Sequence, residues 1–486
     1  MKLREGLFPI DIRRPSLGVK LLGGAVSRDA DFISGLAMRR AENVVDLMSF
    51  LPRLHDPQSE LLLLRSCMGL RESIENIVVC GGPFFGDLQW RLASLPIRLG
   101  GLGLYSAKVV SSYAFVASRA QSWVLQDHIL RDSGICGMDD DYVSALACLR
   151  DTIPSFDFNV FTNKDTAPSK AQQTLASALF SEMVKDMEVR FDMTVRQKAV
   201  FECLRAPHAQ DFLLAIPIDG LGQHMSPVEY RTILKYRLMI PLFPVDAICP
   251  VCRKACLDSF GEHAVHCKEL PGFKYRHDMV RDILFDICRR AGISVKKEAP
   301  VNFLTDPSDG RSTLRPADIL VFGWVGGKHA CVDLTGVSPL VGLSSRGFTV
   351  GSLQAVELLT RVQRVMNSNV MTPRSTNVVF NRIDFAIQKG LAAQLVARLS
   401  SPAMASNHQP KPWRELDTEV GAIGLHAVTP SNRSRSEGTK CTTSLNHPEC
   451  HNGKVGFSIA NEGLVPRAIL FSQNTQGTIS SWSHLI

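Results

Sequence analysis

The chain has 486 residues, 45% of them hydrophobic and 21% charged, with a net charge of +7. This is ordinary globular composition, which excludes a collagen-like, low-complexity or strongly charged disordered chain and suits roughly two to four domains. The longest apolar runs, such as Leu61–Leu64, fall far short of the ~20 residues that a membrane-spanning helix needs.

Met1–Arg14 contains Lys2, Arg4, Glu5, Asp11, Arg13 and Arg14, without the apolar stretch of a signal peptide. A reducing, intracellular setting is therefore expected. In that setting clustered cysteines read as metal ligands before disulfides. Four of the 13 cysteines fall between Cys249 and Cys267.

Residues 1–240 read as mainly helical. Ser27–Leu51 carries apolar residues at helical spacing (Phe32, Leu36, Val44, Leu47, Met48) and meets Pro52. Asp56-Pro57 opens a second helix. Leu95-Pro96-Ile97-Arg98-Leu99-Gly100-Gly101-Leu102-Gly103-Leu104 is a glycine-punctuated loop leading into a helix through Trp123. Asp139-Asp140-Asp141 reads as the acidic first turn of the helix Tyr142–Arg150. Residues 169–205 supply one or two helices, and the capping box Ser226-Pro227-Val228-Glu229 opens a basic helix ending near Ile240. Residues 272–291 form an amphipathic helix. Strand-like runs follow at 293–303, 318–322 and 329–334. Residues 401–486, rich in Ser, Thr, Asn, Gly and Pro, read as an irregular tail.

Cys249-Pro250-Val251-Cys252 is a tight pair; His263 follows after ten residues and Cys267 after three more. A two-residue gap lets both thiolates approach one ion from a turn, and a His and a Cys one helical turn apart can complete a tetrahedron. Soft sulfur with one imidazole favours zinc, in a structural role with no open position. Cys256 and His266 are competing ligands, His266 ranking below His263 because it adjoins Cys267. Cys441, His447, Cys450 and His451 form a second group in the tail, read as free of metal.

Asp318 and Asp333 lie on two apolar strand runs on either side of Gly326-Gly327, a hairpin signal. A turn centred on those glycines sets Leu320 opposite Asp333. Asp318 and Asp333 then share a face as diagonal neighbours about 7–8 Å apart, a gap suited to a bridging divalent cation. Such a cation polarises a phosphate and activates a water. Glu298, on the preceding strand run, is a candidate third carboxylate. Arg276, His277 and Arg315 are candidate nucleic-acid contacts, and the basic helix residues Arg231, Lys235 and Arg237, with Arg281, Arg289 and Arg290, are further phosphate-gripping candidates.

Together these features resemble the C-terminal region of plant-type non-LTR retrotransposon polyproteins, reverse transcriptase-like proteins that carry a restriction-like endonuclease. Cys249, Cys252, His263 and Cys267 look like that family's Cys-Cys-His-Cys knuckle. Arg276-His277-Asp278 resembles its Arg-His-Asn/Asp segment. Arg315-Pro316-Ala317-Asp318 resembles its Arg-Pro-Asp motif with one residue inserted, and Asp333 falls at its second acidic position. Gly18-Val19-Lys20-Leu21-Leu22-Gly23-Gly24 and the glycine loop at 95–104 are similar to its post-palm and thumb segments. The resemblance implies an α+β chain: a helical thumb-like remnant (1–125), a helical linker (126–244), a zinc knuckle (245–271), a truncated restriction-like endonuclease unit (272–400) and the irregular tail (401–486). It also implies structural Zn²⁺, Mg²⁺ or Mn²⁺ for cleavage at Asp318, Asp333 and Glu298, DNA as partner with RNA as a second candidate, no membrane, and a nuclear location.

Two departures from the family pattern matter. The two-aspartate polymerase turn would precede the Lys-Leu-Leu-Gly-Gly segment, where this sequence has almost nothing; Asp139-Asp140-Asp141 lies on the wrong side. The water-orienting lysine of such nucleases is also absent. Thr335 stands two residues after Asp333, and no lysine occurs between Lys328 and Lys389. Arg346, Arg361 and Arg364 are candidate electrostatic substitutes, but arginine stays protonated, which makes it a poor water-orienting group. Met68–Arg71 and Gly351-Ser352 read as junctions where segments have been lost.

Overall fold

The computed structural model describes residues 17–21, 24–27, 29–65, 71–80, 84–130, 139–162, 168–244, 247–269, 271–299, 317–337, 349–369, 378–400 and 467–474. Among them the chain is α+β, predominantly helical with a small antiparallel sheet. No described helix is long and apolar enough to cross a membrane.

A short hairpin, β1 (Val19–Leu21) and β2 (Gly24–Val26), precedes the long helix α1 (Ala30–Ser49). Asp29 caps that helix, its carboxylate accepting the Phe32 N–H at 2.6 Å. Helix α2 (Pro57–Leu64) starts at Pro57, as expected, with the Asp56 carboxylate accepting the N–H groups of Gln58 and Ser59. Next come α3 (Arg71–Val78), α4 (Asp87–Ala93), α5 (Ala107–Leu130), α6 (Asp139–Thr152) and α7 (Asn159–Thr162). The three aspartates of 139–141 do open a helix, and Tyr142 is buried in it with its hydroxyl donating to the Phe161 carbonyl at 2.7 Å. Helices α8 (Ala171–Arg190), α9 (Val195–Leu204) and α10 (Pro227–Arg237) complete the helical body, the last two opened by reciprocal capping boxes at Thr194 and Ser226.

One hydrophobic core runs from Met48 in α1 through Tyr236 in α10 to Cys249, Val265 and Cys267. The segments expected as thumb-like remnant, linker and knuckle therefore share an interior. A second core lies under the sheet. It joins Val280, Leu284 and Ile287 of α12 (Phe273–Arg290) to Ile319, Val321, Ala330 and Val332 of the strands and to Leu359 and Val362 of α13 (Thr349–Asn369). Helix α14 (Val378–Val396) belongs to both: Val379, Phe380, Ile383 and Ala386 enter the second core, Phe385, Leu391, Ala392 and Leu395 the first. This dual burial explains why α14 carries buried polar groups, Arg382, Asp384, Gln388 and Gln394, with few faces left for solvent.

The sheet has the order β3 (Val295–Lys297), β4 (Ile319–Val325), β5 (Lys328–Val337), β6 (Arg467–Asn474), all neighbours antiparallel. Gly326 and Gly327, at φ 57° and 78°, make the β4–β5 turn where the sequence placed it. Gly323, at φ 60°, introduces a bulge between Val321 and Val325. The bulge moves the register, so Leu320 pairs with Cys331 rather than with Asp333. Of the tail expected to be irregular, only strand β6 falls among the described residues. Arg315, Arg346, Met68, the second Cys/His group and the strand run beyond 299 fall outside them. Gly351-Ser352 lies within α13.

Candidate metal centres

The first centre is built on a β-type knuckle followed by a helical turn. Ile248 and Cys256 form an isolated antiparallel bridge that closes the loop holding Cys249 and Cys252. The Cys249 N–H donates to the Ala255 carbonyl at 2.9 Å, and Arg253 turns the loop at φ 54° with its N–H on the Cys249 carbonyl. His263 sits on the short helix α11 (Glu262–His266), and Cys267 ends it, its N–H donating to the His263 carbonyl at 2.8 Å. The Asp258 carboxylate accepts the Phe260 and His263 N–H groups and so fixes the entry to that turn. Gly261, at φ 83°, suits glycine by its left-handed backbone, and a Cβ there would lie 2.7 Å from Leu395 Cδ2, which would have to shift.

These constraints bring one donor atom each of Cys249, Cys252, His263 and Cys267 within 4.8 Å of one another, and Cys252 Sγ lies 3.3 Å from His263 Nε2. A tetrahedral zinc with bonds of about 2.0–2.3 Å needs donors roughly 3.3–3.8 Å apart, so the group can hold a metal ion such as zinc with only a slight closing-up. The Cys252 thiol is pulled down to about 6 by backbone hydrogen bonding at Lys254 in the first place, which favours the thiolate that a metal requires. Of the competing ligands, Cys256 is exposed and outside the group. His266 Nδ1 is 2.9 Å from the Glu262 carbonyl, a contact that commits that nitrogen as a donor.

The knuckle is held from behind. Gln394 Nε2 donates to the Val265 carbonyl. Arg398 is 1% exposed and its guanidinium donates to the carbonyls of Glu269, Pro271 and Gln394. Arg196 pairs with Glu262 at 2.7 Å and stacks over the Phe260 ring at 4.5 Å.

The second centre is acidic. Ile319 pairs with Val332, and one step further in that register sets Asp318 opposite Asp333. The Asp318 Oδ2 accepts the Leu334 N–H at 2.7 Å and lies 3.0 Å from His277 Nε2. Asp278 Oδ1 lies 3.2 Å from the other ring nitrogen. Burial pushes the Asp318 carboxyl up, but the hydrogen bonds from His277 and Leu334 outweigh it and hold Asp318 below the usual carboxylate range. Asp333 moves the other way: burial, the Asp318 charge and a hydrogen bond shared with Asp318 all raise it. His277 is raised, chiefly by its hydrogen bond to Asp318. The arrangement is a pair of carboxyls with opposed proton affinities beside an imidazole. It can hold a shared proton. Among the described residues, the Cys/His quartet is the one group of three or more such side chains close enough to hold a metal together.

Several expected contacts sit elsewhere. The Glu298 N–H donates to the Asp318 carbonyl at 2.8 Å, but the Glu298 carboxylate is turned to Arg281, at 2.5 Å. Arg281 also pairs with Asp278 and Asp282, which corrects its reading as a cation available to phosphate. Arg276, expected at a phosphate, is 3% exposed and packs against Gly390 of α14; burial lowers its guanidinium to about 10. The basic face of α10 is likewise internal. Arg231 donates to the Ile77 carbonyl and Arg237 to those of Ala209 and Gly100, while burial brings Lys235 down to about 8. These cations serve as interior clamps on carbonyls because α10 is enclosed by α2, α3 and α14. Exposed cations lie instead at Arg253, Lys254, Lys268 and Lys274 around the knuckle, and at Arg289 and Arg290 at the end of α12.

No family model, no curated protein and no solved structure matches this chain.

Proposed function

We propose that the chain is a retrotransposon-derived nucleic-acid-binding protein with a structural zinc knuckle and a divalent-cation-dependent phosphodiester-cleaving centre, impaired by the absence of any lysine between Lys328 and Lys389 in the sequence. One observation carries this reading: Asp318 and Asp333 are held face to face, and His277 and the Leu334 N–H orient the Asp318 carboxylate. Asp318 and Asp333 would hold a Mg²⁺ or Mn²⁺ ion, which would polarise a phosphate oxygen and lower the pKa of a bound water. His277 would hold Asp318 in place, and Asp333, the more basic carboxylate, would be the second ligand to the ion. The knuckle offers four protein donors and leaves no open position, which suits a structural ion.

A second reading is a non-catalytic nucleic-acid binder. It is favoured by the position of Lys389, the first lysine after Lys328 in the sequence: its Nζ donates to the His224 carbonyl at 2.8 Å rather than serving the acidic pair.

Zinc-loaded full-length protein incubated with supercoiled plasmid and Mg²⁺ or Mn²⁺ separates these readings. Slow nicking that disappears in both Asp318→Asn and Asp333→Asn supports the cleaving centre. Salt-sensitive DNA binding without nicking supports the second reading. Absence of both overturns the pair.

A further inference from the structure

A buried carboxylate outside both metal centres sits where the two cores meet. Asp384 lies on α14, the helix that enters both, and is 7% exposed. The segment that covers it runs from His208 into the 3₁₀ turn Asp211–Leu214. Asp384 Oδ2 accepts the Phe212 N–H at 2.8 Å, and Oδ1 accepts from Gln388 Nε2 at 3.2 Å. The His208 ring stacks on Phe380, one helical turn before Asp384, at 3.8 Å and 15°, and its Nδ1 lies 2.8 Å from Asp211 Oδ2. His208 takes a left-handed backbone, φ 66°, which a non-glycine residue adopts only at a cost. Residues 208–214 therefore form a strained strap, held on α14 by side-chain contacts. From α10, Arg237 donates to the Ala209 carbonyl, and its charge favours the ionised form of Asp384; Tyr230 of the same helix acts on Arg237. From the strap, the Asp211 charge opposes ionisation. On α14 itself, Arg382 is engaged with Asp286 and Lys389 with the His224 carbonyl, while Arg276 of α12 lies further along, against Gly390. Helix α13 meets α14 at the Val379 N–H, and the knuckle meets it at Gln394. Burial outweighs Arg237 and the two hydrogen bonds, and pushes the Asp384 carboxyl up to about 6.

We propose that Asp384 is a proton-operated latch: its neutral form keeps the 208–214 strap on α14, and its ionised form lets the strap lift. Gln388 serves both forms. Its NH₂ group donates to a carboxylate, and with the amide turned over its oxygen accepts the O–H of the neutral acid. The Phe212 N–H also keeps an acceptor in either form. The difference between the forms is the charge. An ionised carboxylate in this dry site has lost its hydration, and two neutral donors with a distant guanidinium replace it only in part. Lifting the strap lets water reach it. Below the ordinary carboxylate range the closed and lifted states both carry the proton, and closure has its full strength. As pH rises through about 6 the closed state must give up its proton, and closure weakens. Because α14 is shared by both cores, the lifted strap loosens the helical body from the unit that carries the sheet. The latch is remote in the chain from the acidic pair and stands independently of cleavage there.

The test uses zinc-loaded full-length protein. Hydrogen exchange of peptides covering 205–215 and 378–390 is followed from pH 5 to pH 7.5 and corrected for the intrinsic pH dependence of exchange. Protection of both peptides falls about tenfold over that interval with a midpoint near 6, while helix α8 shows no such step. In protein labelled with nitrogen-15 at phenylalanine, the Phe212 amide resonance moves with the same midpoint. Asp384→Asn, neutral at every pH, abolishes both signals. His208→Gln keeps both, which separates the latch from the neighbouring imidazole. The Phe212 resonance is read in the parent chain, so the decision does not depend on how well Asp384→Asn folds. A flat profile in the parent, protection that rises with pH, an equal step in α8, a step that survives in Asp384→Asn or one that is lost in His208→Gln overturns the proposal.

Discussion

Asp318 faces Asp333 across the β4–β5 hairpin, and the two carboxyls share a hydrogen bond while His277 holds the first of them ionised. Asp333 carries the cost of this arrangement. Its pKa is raised in the folded chain, so its contribution to stability is fully present below the ordinary carboxylate pKa and is lost as pH rises through the folded value. His277 is also raised, and its contribution fades in the same direction at higher pH. Asp333→Asn removes the repulsion and keeps a hydrogen-bonding side chain. It should therefore raise the melting temperature at pH 7.5, by on the order of 1 °C or more, with the gain vanishing toward pH 4. Thermal scans across that range check this; a gain that grows at acid pH contradicts it.

At the knuckle, the donor set and its neighbours make separate predictions. Cys267→Ser should abolish stoichiometric zinc and cost about 3 kcal/mol or more, because a structural ion contributes directly to folding. Cys256→Ser should retain one zinc per chain and stay within about 0.5 kcal/mol of the parent, since that thiol is exposed and outside the quartet. Metal content by elemental analysis with matched melting curves decides both. Zinc retained in Cys267→Ser and lost in Cys256→Ser would reassign the ligand.

The sequence made some of this legible and concealed the rest for identifiable reasons. Caps at Asp56 and Ser226, the Gly326-Gly327 turn and the Cys/His spacing are local signals, and the structure places helices, hairpin and donor cluster where they occur. The bulge was signalled only by Gly323 inside an apolar strand, a cue easily passed over beside the stronger glycine pair. The fate of the arginines had no local signal. Arg231, Arg237 and Arg276 occupy the spacing of a solvated basic face, and only the packing of α2, α3 and α14 around α10, and of α14 across α12, turns them inward. The grip of Asp384 on the Phe212 N–H is equally non-local, since it joins α14 to a turn far back in the chain.

Arg398 shows what such an interior cation contributes. It lies just past the end of α14, at 1% exposure, and ties the carbonyls of Glu269 and Pro271 at the exit of the knuckle. Replacing it with Met should cost about 3 kcal/mol, because it strands carbonyls that formed charge-assisted bonds in a dry site. Arg398→Lys should recover less than half of that, since an ammonium lacks the fork that spans separate carbonyls. Hydrogen exchange should report the loss first at 262–272. A variant as stable as the parent would show that the carbonyls find other donors.

The glycine run at 100–103 makes the sharpest backbone prediction. Gly100 and Gly103 adopt φ of 91° and 73°, and a Cβ on Gly101 would fall onto the Leu95 carbonyl. Arg65, from the segment after α2, reinforces this close passage by donating to the Leu102 carbonyl at 2.7 Å and to the Leu213 carbonyl at 2.5 Å. Gly101→Ala cannot be absorbed by a side-chain movement, because the obstacle is backbone. It should destabilise by about 3 kcal/mol or more. Gly103→Ala meets the Ile97 side chain, with Arg65 Nε at 4.0 Å, and should cost ~1 kcal/mol, mainly for its left-handed backbone. Chemical denaturation of the two variants side by side gives the order. Equal losses would mean that the loop yields as a whole, and the Arg65 clamp would then be the constraint to test next, through Arg65→Met.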